Sequence, residues 1–217
     1  MNFFNLIFSN QSILRIFQTE KFQKEKIFGE CIEFGANEDL KKNFMKPFSK
    51  NYKITYSNLN SINKDIIKID LEKDFDHQKT YDFIVIFNVL EHLSDYKKAL
   101  GNLNKILKIN GKIIGSTPFL FRVHGAPNDY IRFTSQYLEK IFKESNFQEI
   151  QIEELGTGPF LSSVALLRSY LKYIPILYQL LLIIALIADK LLKIFMKTDP
   201  KKIYPVGYIF SAKKKIK

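Results

Sequence analysis

Apolar positions along this chain fall into short continuous runs, separated by stretches where they recur every three or four residues. Glu30-Cys-Ile-Glu-Phe34 is a short apolar run closed by Gly35, which predicts a first strand and its turn. Tyr52-Lys-Ile-Thr-Tyr56 alternates like a second strand, and Asp65-Ile-Ile-Lys-Ile69 reads as a third. Phe83-Ile-Val-Ile-Phe87 is apolar throughout, the pattern of a central parallel strand covered on both faces. Leu100, Leu103, Ile106 and Leu107 share one side of a helix predicted over about Asp95–Leu107. Asn110-Gly111 ends it, and Lys112–Thr117 is a fifth strand. Thr134 caps a helix from about Ser135 to Lys143, Gln148–Ile152 is a sixth strand, and Gly207–Ala212 a seventh. Asp39–Met45 has helical character and stops before Pro47. Leu6, Ile13, Leu14 and Phe17 allow an amphipathic helix covering one sheet edge.

Strands alternating with helical segments predict an α/β fold with a doubly wound, seven-stranded, mostly parallel sheet. An N-terminal helical cover is expected over residues 1–28 and one domain over 29–217, within which 156–203 is a hydrophobic helical insertion. A chain of 217 residues can bury a sizeable core. Its 46% hydrophobic and 25% charged residues exclude disorder and an ordinary multi-span membrane class. The apolar start, Met1–Phe8, lacks a basic lead-in and a small-residue cleavage site, so no secretory signal is expected. The single Cys31 excludes an internal disulfide and a cysteine-rich zinc site, and suits a reducing cytoplasm. The three histidines show no ligand spacing, so no metal site is expected. The net charge of +11 points to an anionic partner, unless it reflects only a lysine bias spread along the chain. No aromatic-basic recognition motif supports nucleic acid.

Residues 161–195 hold a long apolar stretch. Within it Ile174–Ala188 would reach roughly 22 Å as a helix against ~30 Å of hydrocarbon, too short to cross a bilayer alone. Arg168, Lys172, Gln179, Lys190, Lys193 and Lys197 fall near one stripe at helical spacing opposite an apolar face, and Pro175 starts a second helix. That pattern describes a helix lying in a membrane interface, with Lys201, Lys202 and the terminal lysines favouring anionic cytoplasmic lipid. A buried hairpin, packed on the sheet or in a dimer, and a transmembrane span are the alternatives.

Four runs carry more specific information. Glu33-Phe-Gly35-Ala-Asn37 follows the first strand, Thr55-Tyr-Ser-Asn58-Leu59 ends the second, and Ile69-Asp70-Leu71 ends the third. Tyr81-Asp-Phe-Ile-Val-Ile-Phe-Asn88-Val-Leu-Glu91-His92-Leu93 spans the fourth. With Leu-Lys-Ile-Asn-Gly111-Lys before the fifth strand, they resemble class I S-adenosylmethionine-dependent methyltransferases of Rossmann-like fold. The resemblance covers most of residues 30–153 and returns at Tyr204-Pro-Val-Gly-Tyr208. It implies S-adenosyl-L-methionine as cofactor, bound by Glu33, Gly35, Asn37, Asn58, Asp70, Leu71 and Asn88. Gly35 would let the backbone approach the ligand. Asn58 stands where an aspartate is usual and would bond a ribose hydroxyl without charge assistance. Asp70 would face the adenine. Asn37 occupies a second glycine position, where asparagine tolerates positive φ better than most residues.

Past the fifth strand, His124-Gly-Ala-Pro-Asn-Asp129-Tyr130-Ile-Arg132-Phe-Thr134 is similar to a run in members of that family acting in glycan or lipid-linked pathways. Methyl transfer to a hydroxyl needs a positioned acceptor and a base. His124, with an ordinary pKa of about 6.5, is the candidate base. Asp129 is its catalytic partner, orienting it or binding sugar hydroxyls, and Arg132 could hold a phosphate bidentately. Tyr130 and His92 would wall the acceptor pocket. The plainer reading makes Asp129 and Arg132 a structural ion pair, with Tyr130 packing the loop. The function expected is O-methylation of a hydroxyl on a glycan, lipid-linked or other small-molecule acceptor. Its place would be the cytoplasm, peripheral at the inner face of the membrane. Asn37 and Asn58 favour the competing reading, a non-catalytic methyltransferase-fold protein serving as a membrane-associated binding module.

Overall fold

The computed structural model describes residues 11–74, 77–125 and 127–215. Seven strands form: β1 (Cys31–Phe34), β2 (Ile54–Asn58), β3 (Ile66–Lys68), β4 (Tyr81–Phe87), β5 (Leu107–Pro118), β6 (Phe147–Leu155) and β7 (Gly207–Lys214). They make one mixed sheet in the order β3-β2-β1-β4-β5-β7-β6, with β1 to β5 parallel. All of β1 and all of β4 except Asp82 is buried, as strands covered on both faces must be. The strand order reverses between β1 and β4, where Cys31 lies opposite Phe83 and Phe34 opposite Ile86. Open α/β sheets bind ligands outside the carboxyl ends of the strands at such a reversal.

The chain divides into two compact units. The larger comprises Lys26–Thr117, His124–Ile152 and Phe210–Lys217, with α2 (Tyr96–Ile106) and α3 (Ser135–Glu144). Asp95 and Thr134 cap these helices by accepting from the N–H of Lys98 and Tyr137. Two expectations shift here. The helix over residues 39–45 is only a 3-10 turn, Leu40–Lys42. The Glu33 carboxylate accepts from the N–H of Phe44 and of Met45, both at 2.9 Å, drawing off donors that a longer helix would need. A second 3-10 turn, Lys46–Phe48, then contains Pro47. β5 starts at Leu107, earlier than Lys112, because Tyr81 pairs with Leu107 and Phe83 with Lys112. Residues 108–111 are an irregularity within the strand, turned by Asn110 at φ +62°.

The smaller unit comprises Met1–Glu25, Pro118–Val123 and Glu153–Ile209. It holds α1 (Ile13–Phe22), α4 (Pro159–Leu171), α5 (Pro175–Phe195) and α6 (Pro200–Ile203). α1 buries Ile13, Leu14, Ile16 and Phe17, and its Lys21 pairs with Glu153 on the edge strand β6. The predicted Leu6 lies outside the described residues. α4 and α5 form a hairpin, and Pro175 opens α5 as expected. Gly158 has no side chain with which to cap α4, and Asp189 on α5 does so from across the hairpin. Its buried carboxylate accepts from the N–H of Phe160 and Leu161 and from the Thr157 hydroxyl. A Cβ on Gly158 would sit 2.6 Å from that carboxylate, so the missing side chain admits the cap.

Candidate active site

A cavity of about 260 Å³ opens in the larger unit. Gly35 after β1, Asn58 at the end of β2, Asp70 and Leu71 after β3, and Asn88 after β4 all contribute to its walls. Gly35 sits at φ +69°, and a Cβ there would lie 2.5 Å from Val89 Cγ2. Asn58 Nδ2 donates to the Ala36 carbonyl at 2.7 Å, tying the β2 end to the glycine turn. Asn88 turns the chain at φ +54° and donates its N–H to the Ser116 carbonyl. The Asp70 carboxylate accepts from the Glu72 N–H and pairs with Lys73.

Glu33 and Asn37 are not among the walls. Glu33 holds the following loop through Phe44 and Met45. The Asn37 N–H donates to Asn43 Oδ1, and its own Oδ1 accepts from the Asp39 N–H. Its backbone is not left-handed, so this position has no need of a second glycine. The cavity nonetheless fits a nucleoside with an amino-acid tail. Gly35 gives close backbone approach, Leu59, Ile69 and Leu71 give apolar walls, and Asn58, Asp70 and Asn88 give polar groups.

Residues 124, 125 and 127–132 fold around Asp129, whose side chain is 3% exposed. The His124 N–H donates to Asp129 Oδ2 at 2.8 Å, and His124 Nδ1 lies 3.2 Å from the same oxygen. Both terminal nitrogens of Arg132 donate to Asp129. That guanidinium holds the Asp129 carboxyl far below the usual carboxylate range. Arg132 therefore grips Asp129 instead of offering an open fork to a phosphate, which corrects that expectation. His124, Asp129 and Arg132 are not cavity walls, whereas His92, Asn128 and Tyr130 are. The His92 ring links the two sets: it meets the His124 ring edge-on at 4.9 Å. Its Nδ1 lies against the Asn128 carbonyl.

Glu91 escapes the sequence reading. It is 0% exposed, and its backbone carbonyl accepts from the Tyr130 N–H. Its Oε2 accepts from the Thr117 hydroxyl, while Oε1 has no hydrogen-bond partner and lies 3.8 Å from His92 Nε2. Burial pushes this carboxyl up from an ordinary 4.5 to about 8. The available signal is an acid inside the apolar Val89-Leu-Glu-His-Leu93 turn. Glu91, His92 and His124 each offer a ligand atom within 4.8 Å of the others, near enough to share a divalent cation. Sequence spacing hides this trio because the fold alone brings His92 and His124 together.

The raised Glu91 pKa has a consequence for stability. The folded chain keeps a proton that the unfolded chain releases as pH rises past 4.5, so stability falls between 4.5 and about 8. The slope is at most about 1.4 kcal/mol per pH unit. Glu91→Gln is expected to flatten this fall, so that the variant gains on the native chain as pH rises. Urea unfolding at several pH values across that window measures it, and parallel slopes for the two proteins would contradict the assignment.

A family model described as a methyltransferase domain matches residues 10–152. A probable polyketide synthase 10 from Dictyostelium discoideum is 33% identical over 113 residues, 46% of this chain and 4% of that protein. Among solved structures, phosphoethanolamine N-methyltransferase 2 of Haemonchus contortus in complex with S-adenosyl-L-methionine has a TM-score of 0.57 at 14% identity. The match covers 91% of this chain and 51% of that one, so this chain spans about half its length. A possible histamine N-methyltransferase of Thermotoga maritima has a TM-score of 0.58 at 11% identity, covering 97% and 92% of the two chains. StiE O-MT has a TM-score of 0.58 at 12% identity, covering 94% and 75%. These structures bear on the fold, and the family match spans every strand end that lines the cavity. This chain belongs to the class I S-adenosylmethionine-dependent methyltransferase family.

Proposed function

We propose that the chain catalyses O-methylation of a hydroxyl on a glycan, lipid-linked or other small-molecule acceptor. The observation that carries this reading is the His124–Asp129 pair, an imidazole backed by an ionised, nearly buried carboxylate. S-adenosylmethionine, when bound, supplies an electrophilic methyl on a sulfonium, and Gly35, Asn58, Asp70, Leu71 and Asn88 would hold it. Asp129, gripped by Arg132, holds the His124 backbone N–H, and its carboxylate, 3.2 Å from Nδ1, would stabilise the charge the imidazole gains on accepting the hydroxyl proton. His92 and Tyr130 wall the cavity on the side where the His92 ring meets that of His124, and the acceptor would be positioned there. Glu91 is neutral at pH 7 through its raised pKa. The neighbours by name include N- and O-methyltransferases, so the choice of oxygen rests on the imidazole base.

One observation favours a second reading, a retained fold that binds without turnover. Asn58 stands at the ribose position without charge and gives its Nδ2 to the Ala36 carbonyl. Calorimetry with S-adenosylmethionine separates the two. The enzyme reading expects binding at about micromolar levels and transfer of labelled methyl to hydroxyl acceptors. No heat up to about millimolar cofactor would favour the binding module.

A further inference from the structure

The α4–α5 hairpin of the smaller unit presents a broad apolar face to solvent. On α5, Ile176, Leu180, Ile184, Ile187, Leu191 and Ile194 recur at three- and four-residue intervals, all exposed. They lie opposite the buried stripe of Tyr178, Leu182, Ala185 and Asp189. Ile176 is 81% exposed and Phe195 at the other end is 84% exposed, so the face runs the length of the helix. Contiguous apolar surface of this extent marks an interaction site.

The surrounding charge identifies the partner. Lys190, Lys193 and Lys197 are exposed, and Asp189, the only acid between residues 159 and 197, is buried as the cap of α4. Beside α4, a cavity of about 180 Å³ is lined by Arg122, Arg168 and Lys172 with Ser12 and Ser169, and no carboxylate is among its walls. Leu166 belongs both to that cavity and to the exposed apolar surface.

We infer that this hairpin docks on an anionic phospholipid bilayer, the apolar face of α5 entering the interface and the Arg122–Arg168–Lys172 cavity receiving lipid phosphate. α5 has the length and composition to cross a membrane, its 21 residues reaching about 31 Å. Crossing would strip the buried stripe from its own unit and pull Asp189 from the start of α4. The geometry therefore lays the helix along the surface. The stems of Lys190 and Lys197 can cover the apolar edge while their ammonium groups reach phosphate, and Lys193 pairs with Asp199. A second copy of the chain would also cover the apolar face, but it would bring two cationic rims together. The inference stands apart from the methyl-transfer reading.

The test is sedimentation of the whole chain with phosphatidylcholine vesicles, with and without about 30% phosphatidylserine. Binding to the anionic vesicles is expected to be about tenfold stronger or more, and to weaken with salt. Ile187→Glu with Leu191→Glu, altered at exposed positions only, is expected to lose at least about tenfold while keeping native circular dichroism. Arg122→Gln with Lys172→Gln should weaken binding to the anionic vesicles by about tenfold or more. Undiminished vesicle binding by the Ile187→Glu, Leu191→Glu variant would overturn the inference. So would a native chain that ignores both vesicles and sediments as a dimer that the same variant splits.

Discussion

Replacing His124 by alanine is expected to leave S-adenosylmethionine binding within about twofold and to lower turnover by about 10²–10⁴-fold. The two effects separate because His124 is not a wall of the cofactor cavity. The substitution also spares the fold of the loop. His124 donates to Asp129 through its backbone N–H, which alanine keeps, and the Asp129–Arg132 clamp needs no imidazole. His92→Ala should behave differently, since that ring lines the cavity and its Nδ1 meets the Asn128 carbonyl. There the KM for the acceptor should rise together with the fall in kcat. Native turnover by His124→Ala with an identified acceptor would end the base assignment and leave the cofactor site standing.

How much of this was readable in the residues follows from what fixes each feature. Parallel strands buried on both faces must be apolar without interruption, so β4 is written in local pattern, whereas the spatial order of the strands is not. Caps are local too, and Asp95 and Thr134 do what their positions promise. The misreadings occur where a distant side chain intervenes. The resemblance implies Glu33 as a cofactor contact, whereas in the fold its carboxylate accepts from the N–H of Phe44 and Met45, where only a short turn replaces the helix expected. Arg132 reads in sequence as a fork for phosphate, and the folded loop turns that fork onto Asp129. Glu91 and His92 are neighbours in the chain, but His124 joins them only through the fold. The apolar run at Ile174–Ala188 understates α5, which continues to Phe195 because Asp189 is hidden beneath α4. A charge that caps another helix inside the hairpin does not break the apolar face, and no residue count reveals that.

Gly35→Ala is expected to weaken S-adenosylmethionine binding by at least about tenfold and to destabilise the larger unit by about 2–4 kcal/mol. Two separate costs meet at this position. The backbone lies at φ +69°, where a Cβ costs roughly 1–2 kcal/mol. That Cβ would also lie 2.5 Å from Val89 Cγ2, and Val89 leads into the turn carrying Glu91 and His92. Relief of the clash would push Val89 away and disturb a cavity to which Val89, Asn88 and His92 all contribute. Pairing Gly35→Ala with Val89→Ala removes the clash and leaves the backbone cost. The double variant should therefore regain part of the lost stability and not all of it, and thermal unfolding of the three variants measures the division. Cofactor affinity should follow the same order. If Gly35→Ala binds S-adenosylmethionine as tightly as the native chain, close backbone approach at the β1 turn is not what holds the ligand. The cofactor would then have to be placed elsewhere on the sheet.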